Sequence, residues 1–388
     1  MVAADRISPN AAAAGKGIFL ANSFIPNFYP VILAGGRGTR FWPLSRKRRA
    51  KQLLPLNSGK SMIQETVERL EALAASERFW IITNDDLRSP ILHQLPGLPA
   101  EQVLAEPVGR NTAPAIGLAA FILERSDPNA VICMFPSDHI ILDETRFRAN
   151  VQSAAAIAAT GPSIVVMGIK PTRAETGYGY IEVAPGVKQN SLPVRRFVEK
   201  PEKDVAEQYL AAGNYFWNSG MFVWGARTLA EALREHLSKT AAILEQIAGT
   251  YGTTEFASTF AELYPKCENI SIDYAVLEPR SQKGEGESGI FCVPATFGWN
   301  DLGSWTALYE HRCADRTERQ NIISSANSFT LHAEGNFVHS EKFVALVGVN
   351  DLVIVETEDA LLITTRDKCQ DVGKIVKYLD EKQLEKLV

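Results

Sequence analysis

Val31 to Gln52 runs VILAGGRGTRFWPLSRKRRAKQ. Val31, Ile32 and Leu33 are expected to end a buried strand. Ala34-Gly35-Gly36-Arg37-Gly38-Thr39-Arg40 follows as a loop of small residues, whose glycines let backbone N–H groups come close to an anion. Arg37, Arg40, Arg46, Lys47, Arg48, Arg49 and Lys51 then fall within fifteen residues, while no Asp or Glu occurs between Asp5 and Glu65. In a chain of net charge −5 such a local excess points to a polyphosphate ligand. Arg40 offers phosphate a planar fork and Lys51 a point charge. The loop is neither familiar glycine pattern. Phe41 stands where the dinucleotide fingerprint needs its third glycine, and no Gly-x-x-x-x-Gly-Lys-Ser/Thr occurs.

The chain has 388 residues, enough for two or three domains, and is 46% hydrophobic and 22% charged, an ordinary globular balance. A slightly acidic chain with one basic patch does not suit a nucleic-acid binder. Five scattered cysteines without a Cys-x-x-Cys pair suit reduced thiols in the cytoplasm rather than a disulfide framework or a zinc site. No run of 18 apolar residues exists, so no membrane span is expected. Residues 1–28 make a poor signal peptide, because Asp5 cancels Arg6 and Gly15-Lys16-Gly17 breaks the apolar stretch; a flexible extension is expected there.

Short apolar strands alternate with helical patterns up to about residue 170. The strands are 29–33, 79–83, 102–104, 130–135 and 163–168. Ser61-Met62-Ile63-Gln64 reads as a capping box, Asn111 or Thr112 as the cap of an apolar helix through Leu123, and 144–159 as another helix. This is the grammar of an α/β fold, a mainly parallel sheet with helices on both faces. Ligands sit beyond the carboxyl ends of such strands. Further strands are expected at 177–181, 194–199, 222–224 and 291–294, with Trp217-Asn218-Ser219-Gly220-Met221 as a turn. Beyond about Thr317 the short apolar runs 344–347, 352–355 and 361–363 suggest a small β domain of rungs, closed by a helix over 372–379. The expected division is 1–28, 29–316 and 317–388.

Asp138, at the end of Pro136-Ser137-Asp138, and Asp301, in a second glycine-containing loop, are a carboxylate pair suited to one Mg2+ against a triphosphate. Glu199-Lys200 pairs an acceptor for hydroxyls with a cation for a sugar phosphate. His139 is not expected to act as a base, since a phosphate nucleophile is already anionic.

Six motifs taken together resemble the sugar-phosphate nucleotidylyltransferases, and within them the bacterial mannose-1-phosphate guanylyltransferases. They are Gly35-Gly36-x-Gly38-Thr39-Arg40-Phe41-Trp42-Pro43-Leu44-Ser45 with Lys51-Gln52, then Glu106-Pro107-x-Gly109-Arg110-Asn111-Thr112-Ala113-Pro114, Pro136-Ser137-Asp138-His139, Phe197-Val198-Glu199-Lys200-Pro201, Trp217-Asn218-Ser219-Gly220-Met221 and Gly298-Trp299-Asn300-Asp301-Leu302-Gly303-Ser304-Trp305. The resemblance covers about Tyr29 to the C-terminus. It implies a nucleotidyltransferase domain of the GT-A/Rossmann-like kind and a C-terminal left-handed β-helix-like domain that helps such proteins form homodimers.

The implied reaction joins GTP and mannose 1-phosphate, with Mg2+, into GDP-mannose and pyrophosphate. Leu33, Ala34, Gly35, Gly36, Gly38, Thr39, Arg40 and Lys51 are then expected at the nucleotide, with Glu106, Pro107, Gly109, Asn111, Thr112 and Ala113 at the base. Asp138 and Asp301 are expected at the metal, and Tyr178, Gly179, Glu199, Lys200 and Asn218 at the sugar phosphate. Arg40, Lys51, Asp138 and Asp301 carry the catalysis. Relatives commonly have Pro-Lys-Gln where this chain has Ala50-Lys51-Gln52. Longer relatives add an isomerase domain, absent before Val388, so isomerase activity on mannose 6-phosphate is not expected. Two alternatives stay open: a sister enzyme using another nucleotide or hexose 1-phosphate, and a non-catalytic regulatory subunit that binds nucleotide sugar.

Overall fold

Nine strands form one sheet in a computed structural model of the chain, which describes residues 24–184, 190–313 and 320–388. Most of the expected N-terminal extension (residues 1–23) and the expected boundary at 316/317 lie outside the described residues. In order, the first half contains β1 (Phe28–Leu33), α1 (Met62–Leu70), β2 (Trp80–Asn84), α2 (Asp85–Gln94), β3 (Val103–Glu106), α3 (Thr112–Ser126), β4 (Val131–Pro136), β5 (Ile140–Ile141), α4 (Glu144–Ala159) and β6 (Ile164–Ile169). β7 (Tyr180–Val183), β8 (Leu192–Val198), α5 (Lys203–Ala212), β9 (Tyr215–Gly225), α6 (Ala226–His236), α7 (Ser238–Gly249) and α8 (Phe256–Leu263) come next. A π-helical turn (Asp273–Leu277), α9 (Glu278–Ser281), β10 (Ile290–Ala295), β11 (Trp299–Asn300) and α10 (Trp305–Cys313) complete this part.

The strand order is β3-β2-β1-β4-β9-β6-β10-β8-β7. β1, β2, β3 and β4 are mutually parallel neighbours, and β6 and β10 are parallel to each other. β9 is wedged antiparallel between β4 and β6, and β8 runs antiparallel to β10 and β7. The sheet is therefore mixed but mainly parallel. The carboxyl ends of β1 and β4 emerge side by side, Leu33 opposite Pro136, so the glycine loop and Asp138 start from neighbouring points.

Local chemistry fixes the helices. Ser61 and Gln64 form the reciprocal capping box of α1. Asn111 caps α3, accepting the Thr112 N–H at 2.9 Å. Ala113 to Leu123 are all buried, which is why α3 reads as apolar on every face: it lies between the sheet and α6 and α7.

One expectation is corrected. Trp217 to Met221 is not a turn; it lies inside β9, a single strand of 11 residues. Gly220, at φ 73°, and a shift in register against β6 between Val166 and Gly168 absorb the turn chemistry as an irregularity within the ladder.

The C-terminal part winds as a coil. β12 (Ile322–Ser324), β14 (Phe337–His339) and β16 (Leu352–Glu356) stack in parallel on one side, and β13 (Ser328–Leu331) and β15 (Val344–Val347) on another. The buried Asn336 side chain donates to Asn321 Oδ1 and the Val349 carbonyl and accepts the Leu352 N–H, pinning successive turns. β17 (Leu361–Thr365) returns antiparallel to β16, and α11 (Val372–Glu381) follows. One apolar cluster joins Phe41, Leu302 and Trp305 to Phe337, Val353, Val372, Val376 and Leu379, so this part is packed onto the glycine-loop side of the sheet.

Candidate active site

The loop after β1 is tied down on one side. The Ala34 N–H donates to the Ile82 carbonyl at 2.8 Å, and the Ala34 carbonyl accepts from Gln52 Nε2 and Thr83 Oγ1. Asn84 Nδ2 holds the Gly35 carbonyl at 3.1 Å. The Leu33 carbonyl accepts the Ser137 N–H, which stitches the Asp138 turn to the same strand end. Gly36 faces open space on its Cβ side.

Lys51 is almost fully buried, and its ammonium donates to Asp138 Oδ2 at 2.9 Å and to the Asp301 carbonyl at 2.7 Å. Segments 87 and 250 residues away from the lysine thus meet at one charge. Burial alone would raise the Asp138 carboxyl, but the attraction of Lys51 and His139 and the hydrogen bond from Lys51 outweigh it and hold it below the ordinary range. Burial pushes the His139 imidazole down to about 4, against the pull of Asp138 and Asp301, and its Nδ1 faces the Trp299 Nε1–H at 3.1 Å. His139 is therefore a neutral ring that accepts from an indole. Tyr178 donates its hydroxyl to Asp301 Oδ1 at 2.7 Å. Burial first, and the Asp301 charge second, drive that phenol well above its usual value, so it stays a donor and orients the carboxylate.

Two cavities open over these residues. The first, about 570 Å3, is bounded by Gly38, Thr39, Arg40, Lys51, Asp138 and Asp301 on one wall and by Gln370, Gly373, Lys374 and Lys377 on the other. The second, about 970 Å3, is lined by Tyr178, Lys200, Trp217, Trp299 and their neighbours. Arg40, Asp301, Gly303 and Gln370 border both, so the cavities join beside Asp301. Asp301 supplies a hard carboxylate to this junction and Asp138 another to the first cavity beside it. Among the described residues no three His, Cys, Asp or Glu side chains converge as a metal cage. A cation here would need further oxygens from a ligand or water, the habit of Mg2+ in phosphate sites.

Around the second cavity, the Asn218 N–H donates to the Gly179 carbonyl at 2.8 Å. A Cβ on Gly179 would lie 2.4 Å from Glu199 Oε2, so a larger residue there would make the Glu199 carboxylate move. Lys200 pairs with Glu199 Oε1 at 2.9 Å, while Glu199 Oε2 is buried with no hydrogen-bond partner among the described residues. An orphaned buried acceptor calls for a partner, and a ligand hydroxyl would supply one. Asp273, absent from the sequence reading, belongs here: its Oδ1 accepts from Asn218 Nδ2 at 3.0 Å. Burial, then the nearby Glu199 charge, push the Asp273 carboxyl up to about 7. Its signal in the sequence is a lone acid in the otherwise uncharged run Ile270 to Leu277.

The Glu106 to Ala113 segment stays outside both cavities. Glu106 is buried and its Oε1 accepts the Tyr264 hydroxyl at 2.6 Å; its Oε2 lies 3.5 Å from where a Gly35 Cβ would stand. Burial raises its carboxyl, against that hydrogen bond. Pro107 borders a separate apolar cavity with Tyr251 and Phe256. Gly109 lies on the surface, Thr112 Oγ1 accepts the Ile272 N–H, and Ala113 is enclosed with its N–H on the Ile270 carbonyl. Three non-glycine residues beside the predicted sites hold left-handed backbone: Asn111 (φ 65°), Lys200 (φ 47°) and Leu302 (φ 44°). Such strain persists where surrounding structure imposes it, often at functional loops.

Comparison with known proteins identifies the family and the fold. Residues 29–318 match the family described as nucleotidyl transferase, and residues 326–379 match the MannoseP isomerase/GMP-like beta-helix domain. The chain is 38% identical over 356 residues to a mannose-1-phosphate guanylyltransferase of Salmonella muenchen, covering 90% of this chain and 73% of that one. It is 35% identical to the alginate biosynthesis protein AlgA of Pseudomonas aeruginosa, over 90% of this chain and 72% of the relative. A solved structure from Thermus thermophilus, described as a mannose-1-phosphate geranyltransferase, superposes with a TM-score of 0.79 at 31% identity, over 91% of this chain and 99% of that one.

Proposed function

Since the chain belongs to the nucleotidyl transferase family, among relatives that are mannose-1-phosphate guanylyltransferases, we propose that it joins GTP and mannose 1-phosphate into GDP-mannose and releases pyrophosphate. The observation that carries this reading is the Lys51 ammonium bound to Asp138 and to the Asp301 backbone at the mouth of the glycine loop. It ties the phosphate loop to the Asp138 carboxylate and to the Asp301 backbone, whose own carboxylate is held by Tyr178 where the two cavities join.

In the proposed reaction a phosphate oxygen of mannose 1-phosphate forms a bond to the α-phosphorus of GTP. The bond from that phosphorus to the bridging oxygen breaks in line, and pyrophosphate leaves with the electron pair. No proton need move, which suits the neutral His139. The chain's work is positioning and charge neutralisation. The Gly35 to Thr39 backbone and Arg40 hold the triphosphate in the first cavity, with Lys51 fixing both acids behind it. Tyr178 keeps Asp301 aimed. Lys200, on the wall of the second cavity, takes the phosphate of the sugar, and Glu199 Oε2 and Asn218, next to that wall but not part of it, take its hydroxyls. Glu106 to Ala113, beside Gly35, is the segment proposed to meet the guanine. The two hard carboxylates fit Mg2+, held by Asp138 and Asp301, and that ion would supply charge neutralisation between attacking and leaving oxygens.

A homodimer through the β-helix belongs to the same reading, since Phe329, Leu331 and Val347 lie exposed on β13 and β15. So does a cytoplasmic location; among the described residues no helix is long and apolar enough to cross a membrane. The test is pyrophosphate release with mannose 1-phosphate and each of GTP, ATP, UTP and dTTP in turn. GTP is expected to be preferred by at least about tenfold, and equal or better turnover with another nucleotide would point to the sister-enzyme reading.

A further inference from the structure

α11 is amphipathic, and its two faces do different jobs. Val372, Val376 and Leu379 are buried against the cluster that contains Phe41 and Leu302, the neighbours of Arg40 and Asp301. Gly373, Lys374 and Lys377 on α11, with Gln370 in the 3-10 segment just before it, face the first cavity. The seat is close: a Cβ on Gly373 would lie 3.2 Å from Thr39 Oγ1. It is also fastened. Arg37 pairs with Asp380 at 3.2 Å, and the Leu387 carbonyl accepts from Trp42 Nε1 and Arg46 Nη1. The C-terminal part thus holds the loop from Arg37 to Arg46 at several points.

The described side chains on this cavity lean positive, with Arg40, Lys51, Lys374 and Lys377 against Asp138 and Asp301. Lys51 is matched by Asp138, and Lys374 by Asp371 at 2.6 Å. Arg40 on one wall and Lys377 on the other have no ion-pair partner among the described residues, yet they border the same cavity. With Asp301 the one other unpaired charge on the cleft among the described residues, these two exposed cations leave a net positive pocket that favours an anion between them. The second cavity already has Lys200 for the sugar phosphate.

We propose that Lys377, assisted by Lys374, binds the β- and γ-phosphates of the nucleotide and the pyrophosphate they become, so that the C-terminal helix completes the active site. The inference rests on the nucleotidyl-transfer reading above. The α11 lysines close over the end of the triphosphate that departs, opposite Arg40. A charge-assisted contact of this kind carries about tenfold in affinity for each lysine.

The test uses the full chain and four variants: Lys377→Ala, Lys374→Ala/Lys377→Ala, the conservative Lys377→Arg, and Lys382→Ala, outside the cavity, as control. Inorganic pyrophosphate with Mg2+ is titrated calorimetrically, and KM is measured for both substrates. In Lys377→Ala the pyrophosphate Kd and the KM for GTP are expected to rise about tenfold, and further in the double variant. The KM for mannose 1-phosphate and the melting temperature should stay near wild type. Lys377→Arg should restore most of the loss, and Lys382→Ala should show none. The proposal is overturned if pyrophosphate affinity stays within twofold of wild type, if wild type binds no pyrophosphate, or if both KM values rise together with a lowered melting temperature. Absence of nucleotide turnover in wild type would refute the assigned reaction instead, while the pyrophosphate titration would still judge the lysines.

Discussion

Gly38 and Lys51 stand so close that a Cβ on the glycine would lie 2.2 Å from the Cβ of the lysine, and Gly38 has φ 63°. The loop therefore needs glycine twice, for backbone conformation and for room. Gly38→Ala is expected to destabilise the protein by roughly 2–4 kcal/mol, from overpacking and left-handed strain together. It should also push Lys51 off Asp138, lowering turnover by about a hundredfold. Thermal melting and steady-state kinetics check both; a variant with wild-type kcat would show that the loop does not position the lysine.

Lys51 lowers the Asp138 carboxyl, so removing it should move activity on the pH axis. Lys51→Met leaves a partly solvated acid without its partner, at a cost of roughly 2–3 kcal/mol. The Asp138 carboxyl then rises, and the acidic limb of the kcat/KM profile should shift to higher pH. A profile that merely drops without shifting would argue that Lys51 acts on the nucleotide alone.

Asp273 gives a stability prediction with a definite sign. Its carboxyl is raised to about 7 in the folded protein, by burial and then by Glu199, whereas in the unfolded chain it titrates near 4. Between those values the folded state keeps a proton that the unfolded chain has lost. Its stabilising share is complete below about pH 4 and is lost as pH rises through about 7. Asp273→Asn can still accept from Asn218, so its melting temperature should gain on wild type between pH 5 and pH 8, by a few degrees per kcal/mol. A difference that does not change with pH would contradict the assignment.

Ala50 stands where the family resemblance implies proline, and its φ is −65°, the value proline fixes. No described group accepts its N–H. Ala50→Pro should therefore raise stability by about 0.4–1 kcal/mol through the unfolded state, with activity unchanged. A lowered melting temperature would mean that this fully buried site has no room for the ring.

Much of this architecture was legible because local chemistry and global fold agree. The Ser61–Gln64 capping box, the enclosed α3 and the buried strands β1, β2 and β4 each carry their own signal. Trp217 to Met221 misled because Asn218 and Gly220 are turn residues, and the ladder of β9 absorbs them through one irregularity. Asp273 was missed because its meaning comes from Asn218, 55 residues away, and from a π-helical turn without a sequence period. Nothing in the sequence singles out Lys374 and Lys377 within the expected helix over 372–379. Only the packing of α11 against Phe41 and Leu302 turns them toward Thr39 and Asp301.

The central claim is that Asp138 and Asp301 work with Lys51 as one phosphoryl-transfer centre. Its sharpest test is pyrophosphate release from GTP and mannose 1-phosphate by Asp138→Asn, at millimolar Mg2+. The account predicts a loss of about a thousandfold or more in kcat, with the melting temperature within a few degrees of wild type. Turnover close to wild type in that variant, especially at low Mg2+, would contradict it.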